Sequence, residues 1–177
     1  MAGLDYNIIG IIGVARSGKD TVAKYISEKY NYYHVDFSND GLEPLLKEKN
    51  IAPTKDNKSR FAKDLRKKEG MDVIAKLLWK NIKQQDNKNI VVSGFRCIEE
   101  IDYLSSKAKK ITFIKLMADE KFLLKYGSEA DLLRNKGDLK NFGFDKVLNY
   151  PAIKIENNGT IDELFGKIDS TLIRIKD

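Results

Sequence analysis

Short apolar runs alternate with amphipathic stretches along the chain. The first run, Asn7 to Gly13, is almost continuously apolar, as is typical of a parallel strand that is buried on both faces. Further runs predict strands at residues 32–37, 89–93, 110–117 and 152–156. Apolar residues at helical spacing predict helices at residues 20–30, 57–83 (divided at Gly70), 97–108 and from 160 onward. This alternation predicts an α/β fold, a parallel sheet covered by helices on both faces.

The length and continuity of the pattern indicate one domain. A chain of 177 residues lies within the ordinary size of a single domain, and no linker or internal repeat divides it. We therefore predict a single domain over residues 1–177.

Composition narrows the possible kinds of site. One cysteine and one histidine exclude a disulfide framework and any site that needs two of either residue. A mean hydropathy of −0.44 argues against a membrane span. Residues 1–5 lack the basic start of a signal peptide, so we expect a cytoplasmic protein. The formal charge of +6 comes from dispersed lysines, which favours a solvated surface over a nucleic-acid-binding track and suits anionic small ligands such as nucleotides.

The strongest chemical signal follows the first strand. Residues 13–21 read Gly-Val-Ala-Arg-Ser-Gly-Lys-Asp-Thr, which matches the phosphate-binding loop (P-loop) pattern G-x-x-x-x-G-K between a strand and a helix. Glycines let the backbone N–H groups converge on a phosphate, and the helix start adds a positive dipole. The lysine supplies a point charge for the β- and γ-phosphates of ATP. The residues predicted to bind the nucleotide here are Gly13, Arg16, Ser17, Gly18, Lys19, Asp20 and Thr21.

Asp20 departs from this pattern, because the residue after the lysine is usually a Ser or Thr that contacts Mg²⁺. A carboxylate could also face the ion, directly or through water. Equally, Asp20 could be no more than a favourable acid in the first turn of a helix. Thr21 is a second candidate for the metal, or a contact to the α-phosphate. Asp36, at the end of the second predicted strand, is a candidate metal partner, substrate-binding general base or plain turn residue.

Four segments carry a resemblance to known proteins. They are Ser-Gly-Lys-Asp-Thr at residues 17–21, Phe-Ala-Lys-Asp-Leu-Arg at 61–66, Val-Val-Ser-Gly-Phe-Arg at 91–96 and Asn-Asn-Gly-Thr at 157–160. The first resembles the P-loop of phage-type deoxynucleoside monophosphate kinases and of some phosphomevalonate kinases. The whole pattern is similar to small adenylate-kinase-related P-loop proteins of archaea and, more loosely, to dephospho-coenzyme A kinases. The resemblance implies a P-loop NTPase three-layer sandwich with five parallel strands in the order 2-3-1-4-5.

The same resemblance implies roles for segments outside the P-loop. Residues 38–83 would bind the acceptor, with Arg66 as one ligand, and residues 119–149 would form a lid that carries Arg134. The loop after the fifth strand resembles one that holds adenine through backbone contacts, although it would also serve as a plain turn. The nucleotide contacts implied in that loop are Asn157 and Gly159.

Arg96 follows the third predicted strand, at the edge of the sheet where α/β proteins bind ligands. A guanidinium group can grip two phosphate oxygens at once, which a lysine cannot do. The resemblance implies that Arg96 contacts the acceptor, and a surface ion pair is the alternative. The candidate catalytic residues are therefore Lys19, Arg96 and Arg134.

These observations predict a kinase that uses ATP and Mg²⁺ to phosphorylate a small phosphorylated acceptor, with nucleoside or deoxynucleoside monophosphates favoured by the P-loop resemblance. One alternative is a dephospho-coenzyme A kinase, whose hydroxyl acceptor would need Asp36 as a base, whereas a phosphate acceptor needs none. A second alternative is a nucleotide-dependent interaction protein with weak turnover. Two features favour it: the lid segment has few arginines, and Ser93 stands where the resembled families carry an Asp that anchors Mg²⁺.

Overall fold

A five-stranded sheet forms the centre of the computed structural model, which describes residues 5–176. Residues 1–4, which were considered above in the prediction about a signal peptide, lie outside the described residues. The strands are β1 (Asn7–Ile12), β2 (Tyr33–Asp36), β3 (Asn89–Ser93), β4 (Lys110–Met117) and β5 (Ile153–Glu156). Every pair of neighbouring strands is parallel, and their order in space is β2-β3-β1-β4-β5. The predicted fold class and strand order are confirmed.

Helices occupy the connections between the strands. They are α1 (Lys19–Tyr30), a π-helical turn (Phe37–Leu42), α2 (Glu43–Glu48), α3 (Lys55–Glu69), α4 (Val73–Ile82), α5 (Ile98–Ser105), α6 (Glu120–Tyr126), α7 (Glu129–Phe142), α8 (Phe144–Leu148) and α9 (Ile161–Lys176). The predicted division at Gly70 is present, because this residue ends α3 with φ of +104°. Within residues 5–176, none of these helices is both long and apolar enough to cross a bilayer.

The central strand supplies side chains to two hydrophobic cores. Ile8 and Ile12 of β1 point to one face of the sheet, where α2, α3, α4, α5 and α8 pack. Ile9 and Ile11 point to the other face, which α1 and α9 cover. Successive side chains of a strand alternate between faces, so a continuous apolar run is what a strand between two helical layers requires.

All five strands end at one edge of the sheet, and three of those ends form the candidate site. The end of β1 leads into the P-loop, and β2 and β3 end side by side with Asp36 opposite Ser93. The Asp36 carboxylate accepts hydrogen bonds from the backbone N–H groups of Ser38 (2.8 Å) and Asn39 (3.0 Å), which starts the π-helical turn. A short polar side chain at the strand end thereby turns the chain and stays at the edge.

Candidate functional site

The P-loop has the backbone conformation that phosphate binding requires. Arg16 and Gly18 both have positive φ, +66° and +100°, and α1 begins at the next residue, Lys19. Backbone that alternates in this way points successive N–H groups to one side and forms an anion-binding nest. Gly18 also has little room, because an added Cβ would lie 2.7 Å from Nδ2 of Asn157.

Lys19 is a buried cation at the centre of the site. Its Nζ donates a hydrogen bond to the carbonyl oxygen of Val14 (3.0 Å), and within residues 5–176 it forms no ion pair. Burial, and then the nearby Arg96, lower the pKa of Lys19 to about 8 despite the opposite effect of Asp20. A buried ammonium group without a direct ion pair is costly, so this position fits an anionic ligand.

Two carboxylates converge on Ser93 beside the lysine. The Ser93 hydroxyl lies 3.3 Å from Oδ2 of Asp36 and 3.5 Å from Oδ1 of Asp20, and 3.0 Å from Nε2 of His34. Gly94 follows with φ of +93°, and an added Cβ there would lie 2.7 Å from Oδ2 of Asp36. Asp36 and Asp20 therefore both lie beside Ser93, the position at which the resembled families carry an aspartate.

The donor chemistry of this pair fits Mg²⁺. Carboxylate oxygens from Asp20 and Asp36 are ligands that Mg²⁺ prefers, and Thr21 lies exposed one residue further along α1. Among residues 5–176, no three His, Cys, Asp or Glu side chains group as a preformed metal site. Mg²⁺ commonly keeps several waters and is held by one or two carboxylates together with substrate phosphates.

Arg96 and Arg134 lie close enough to Lys19 for their charges to lower its pKa, after the larger effect of burial. Arg96 is largely buried, with its Nε 3.1 Å from Oδ2 of Asp138 on α7. The Nε–H group is not directed at that oxygen, which has no hydrogen-bond partner in the described part of the chain. Arg134 is exposed on α7. The structure therefore brings together the three predicted catalytic residues, whose roles stay predictions.

Arg66 forms a buried ion pair with Glu100 of α5. Its Nη2 donates a 2.6 Å hydrogen bond to Oε1 of Glu100, and 5% of the residue is exposed. The other oxygen of Glu100 accepts the backbone N–H groups of Arg96 (2.8 Å) and Cys97 (3.4 Å). The substrate-binding role of Arg66 stays a prediction. In this structure the arginine neutralises the buried carboxylate of Glu100 on α5, which in turn holds the loop that carries Arg96.

Asn157 braces the P-loop through its side chain. Its Nδ2 donates a 2.8 Å hydrogen bond to the carbonyl oxygen of Ser17, and the residue is buried. Gly159 lies exposed in the same loop, before α9. The sequence predicted nucleotide contacts from both residues, and the observed contact of Asn157 is with the P-loop itself. Its partner Ser17 is also buried, and the Ser17 hydroxyl has no hydrogen-bond partner among the described residues.

Three residues of α7 reach the site, and the sequence analysis missed all of them. Asp131 accepts a hydrogen bond from Nε of Arg16 (3.0 Å), Asn135 accepts one from the backbone N–H of Ala15 (3.0 Å), and Asp138 pairs with Arg96. Their spacing of four and three residues places them on one helix face. That spacing can be read from the sequence, but no apolar residues at matching positions indicate that this face of the helix is buried.

Fold and site together define a P-loop protein of kinase-like architecture. The chain belongs to the AAA domain family, which matches residues 9–125. It is similar to a UPF0200 protein of Methanoregula boonei (26% identity, 92% of this chain and 93% of the relative). A UPF0200 protein of Aeropyrum pernix is 27% identical, over 93% of this chain and 91% of the relative.

Solved structures of similar fold include several kinases. Shikimate kinase from Aquifex aeolicus has a TM-score of 0.57 and 18% identity over 96% of this chain and 98% of its own. A gluconokinase from Sinorhizobium meliloti has the same TM-score and 17% identity over 97% and 94%. These similarities support the kinase-like fold that the sequence resemblance implied, and they do not select the monophosphate-kinase subtype.

Proposed function

We propose that the protein is an ATP-dependent phosphotransferase that phosphorylates a nucleoside or deoxynucleoside monophosphate. The observation that carries the proposal is the buried ammonium group of Lys19 at the P-loop, which has no ion pair among the described residues and has two arginines nearby. Catalysis of phosphoryl transfer chiefly requires a protein to position two substrates and to neutralise the charge of the phosphate groups. A cluster of cations next to a nest of backbone N–H groups is suited to that task.

Each residue of the site then has a defined part. P-loop N–H groups and Lys19 hold the β- and γ-phosphates, and Arg96 and Arg134 offset the charge that spreads over the transferred group. Asp20 and Asp36 would hold Mg²⁺, which neutralises phosphate charge when it is bound. A monophosphate acceptor is ionised near neutral pH, so its attacking oxygen needs no general base.

A hydroxyl acceptor is the second candidate, and three observations favour it. The arginines expected to bind an acceptor phosphate, Arg66 and Arg96, already face Glu100 and Asp138. Asp36 lies at the strand edge, where it could accept a proton from a hydroxyl. Structures of similar fold are also named as shikimate kinase and gluconokinase.

The test is product analysis with ATP, Mg²⁺ and a panel of monophosphates, dephospho-coenzyme A, shikimate and gluconate. We expect ADP together with a phosphorylated monophosphate, and we expect Lys19→Ala to abolish both. Lys24→Ala is the matched control, because Lys24 lies on the same helix with 73% of its side chain exposed and forms a surface ion pair with Glu28. Transfer to a hydroxyl alone would select the second candidate. ATP binding without transfer to any acceptor would favour a nucleotide-dependent interaction protein.

A further inference from the structure

The contacts of α7 are unusual for a helix that packs on a domain. Among α7 residues whose side chains are described, the two buried ones are acidic: Asp131 is 7% and Asp138 is 8% exposed. The apolar residues Leu133 (64%) and Leu139 (42%) are exposed instead. A surface helix is ordinarily held by an apolar stripe, so polar contacts attach this helix to the rest of the protein.

Those polar contacts are made with phosphate-binding groups. Asn135 occupies the backbone N–H of Ala15, one of the P-loop donors. Asp131 occupies Arg16 of the same loop, and Asp138 faces Arg96 at the end of β3. P-loop N–H groups bind the phosphates of a nucleotide, so the oxygens of α7 and those of a triphosphate require the same donors.

The end of this segment covers the arginines on the acceptor side as well. The Phe142 ring lies 4.4 Å from the guanidinium of Arg66, and the Phe144 ring lies 5.4 Å from that of Arg96. The fit is incomplete, because Nε of Arg66 and Oδ2 of Asp138 are buried without hydrogen bonds among the described residues. Unsatisfied buried polar atoms cost free energy, which lowers the cost of exchanging α7 for a better ligand.

We propose that the face of α7 formed by Asp131, Asn135 and Asp138 is an internal competitor that occupies the phosphate-binding groups and is displaced when ATP binds. The inference rests on the proposed function in one respect, that ATP binds at the P-loop. If α7 competes with ATP, the Asn135 side chain weakens nucleotide binding, and its loss strengthens binding. A lid residue that holds the substrate would have the opposite effect.

The experiment compares ATP affinity in the full-length protein and its Asn135→Ala variant by calorimetry. Removing the amide frees the Ala15 N–H without a change of charge, so we expect ATP to bind about three- to tenfold more tightly, the range of one neutral hydrogen bond. Leu133→Ala, on the exposed face of the same helix, is the control and should leave the affinity unchanged. Thermal melts establish that each variant is folded.

Hydrogen exchange supplies an independent readout on the unaltered protein. Displacement predicts that backbone amides of residues 129–142 lose protection when ATP is added, while those of β1 do not. Unchanged or weaker ATP binding by Asn135→Ala, or unchanged or greater protection of α7, would overturn the inference while leaving the proposed function intact. If the wild-type protein binds no ATP, the proposed function fails and this inference fails with it.

Discussion

ATP affinity is expected to fall as pH rises from 7 to 9, because the P-loop lysine loses its proton in that range. Burial lowers the pKa of Lys19 to about 8 in the ligand-free protein, and a bound triphosphate favours the charged form and raises it again. The charged fraction is 1/(1 + 10^(pH − 8)), about nine-tenths at pH 7 and about one-tenth at pH 9. If only the charged form binds well, the association constant drops about tenfold, equivalent to about 1.4 kcal/mol.

The assay is calorimetric titration with metal-free ATP at pH 7, 8 and 9, so that no ion lies beside Asp20. Repeating the pH 8 titration in buffers of different ionisation enthalpy measures proton uptake, which we expect to be about half a proton per ATP. Lys19→Arg is the control, because an arginine stays charged throughout this range. Equal pH dependence in both proteins, or none in the wild type, would refute the reasoning.

The same pKa carries a stability consequence of definite sign. The folded-state pKa of Lys19 lies below the unfolded value of about 10.5, so the unfolded chain binds more protons between pH 8 and 10.5. The contribution of Lys19 to the free energy of unfolding therefore rises with pH across that window. In urea titrations the free energy of unfolding of the wild type minus that of Lys19→Met should become more positive as pH increases from 8 to 10.5, and a difference that falls would contradict this.

Three further substitutions test separate parts of the site. Arg66→Met leaves Glu100 buried without its charge partner and should lower the free energy of unfolding by about 3–5 kcal/mol in urea denaturation; a loss below about 1 kcal/mol would contradict the buried pair. Asn157→Ala removes the brace on the Ser17 carbonyl and should weaken ATP binding up to about tenfold. Tighter binding would argue against that brace. Asp36→Asn should slow transfer to a hydroxyl about a hundredfold and transfer to a monophosphate far less, measured as turnover at saturating Mg²⁺ so that the loss of a metal-binding carboxylate limits neither reaction.

Local patterns sufficed to predict the sheet and the P-loop. The apolar run of β1 and the glycines around Lys19 express requirements that lie within a few residues of each other, so the sequence shows them directly. The order β2-β3-β1-β4-β5 came from the resemblance, because pairing between strands depends on contacts far apart in the chain. Asp36 and Arg96 were recognised from their places at strand ends, which converge at one edge in any parallel sheet.

The partners of charged residues could not be predicted. Arg66 and Glu100 are 34 positions apart, and nothing local marks them as a pair. The pairing of Arg96 with Asp138 was equally unpredictable, because the packing of α7 decides which carboxylate faces the arginine. The local sequence shows which residue types the chemistry needs. Which charged side chains are buried, and which partners neutralise them, depends on the tertiary structure.

The most direct test of the account is a crystal structure with Mg²⁺ and a non-hydrolysable ATP analogue. We predict that the β- and γ-phosphates lie within hydrogen-bond distance of Nζ of Lys19 and of the P-loop N–H groups, with Arg96 facing the γ-phosphate. An analogue bound at another surface, with the Lys19 ammonium group still bonded only to Val14, would contradict it.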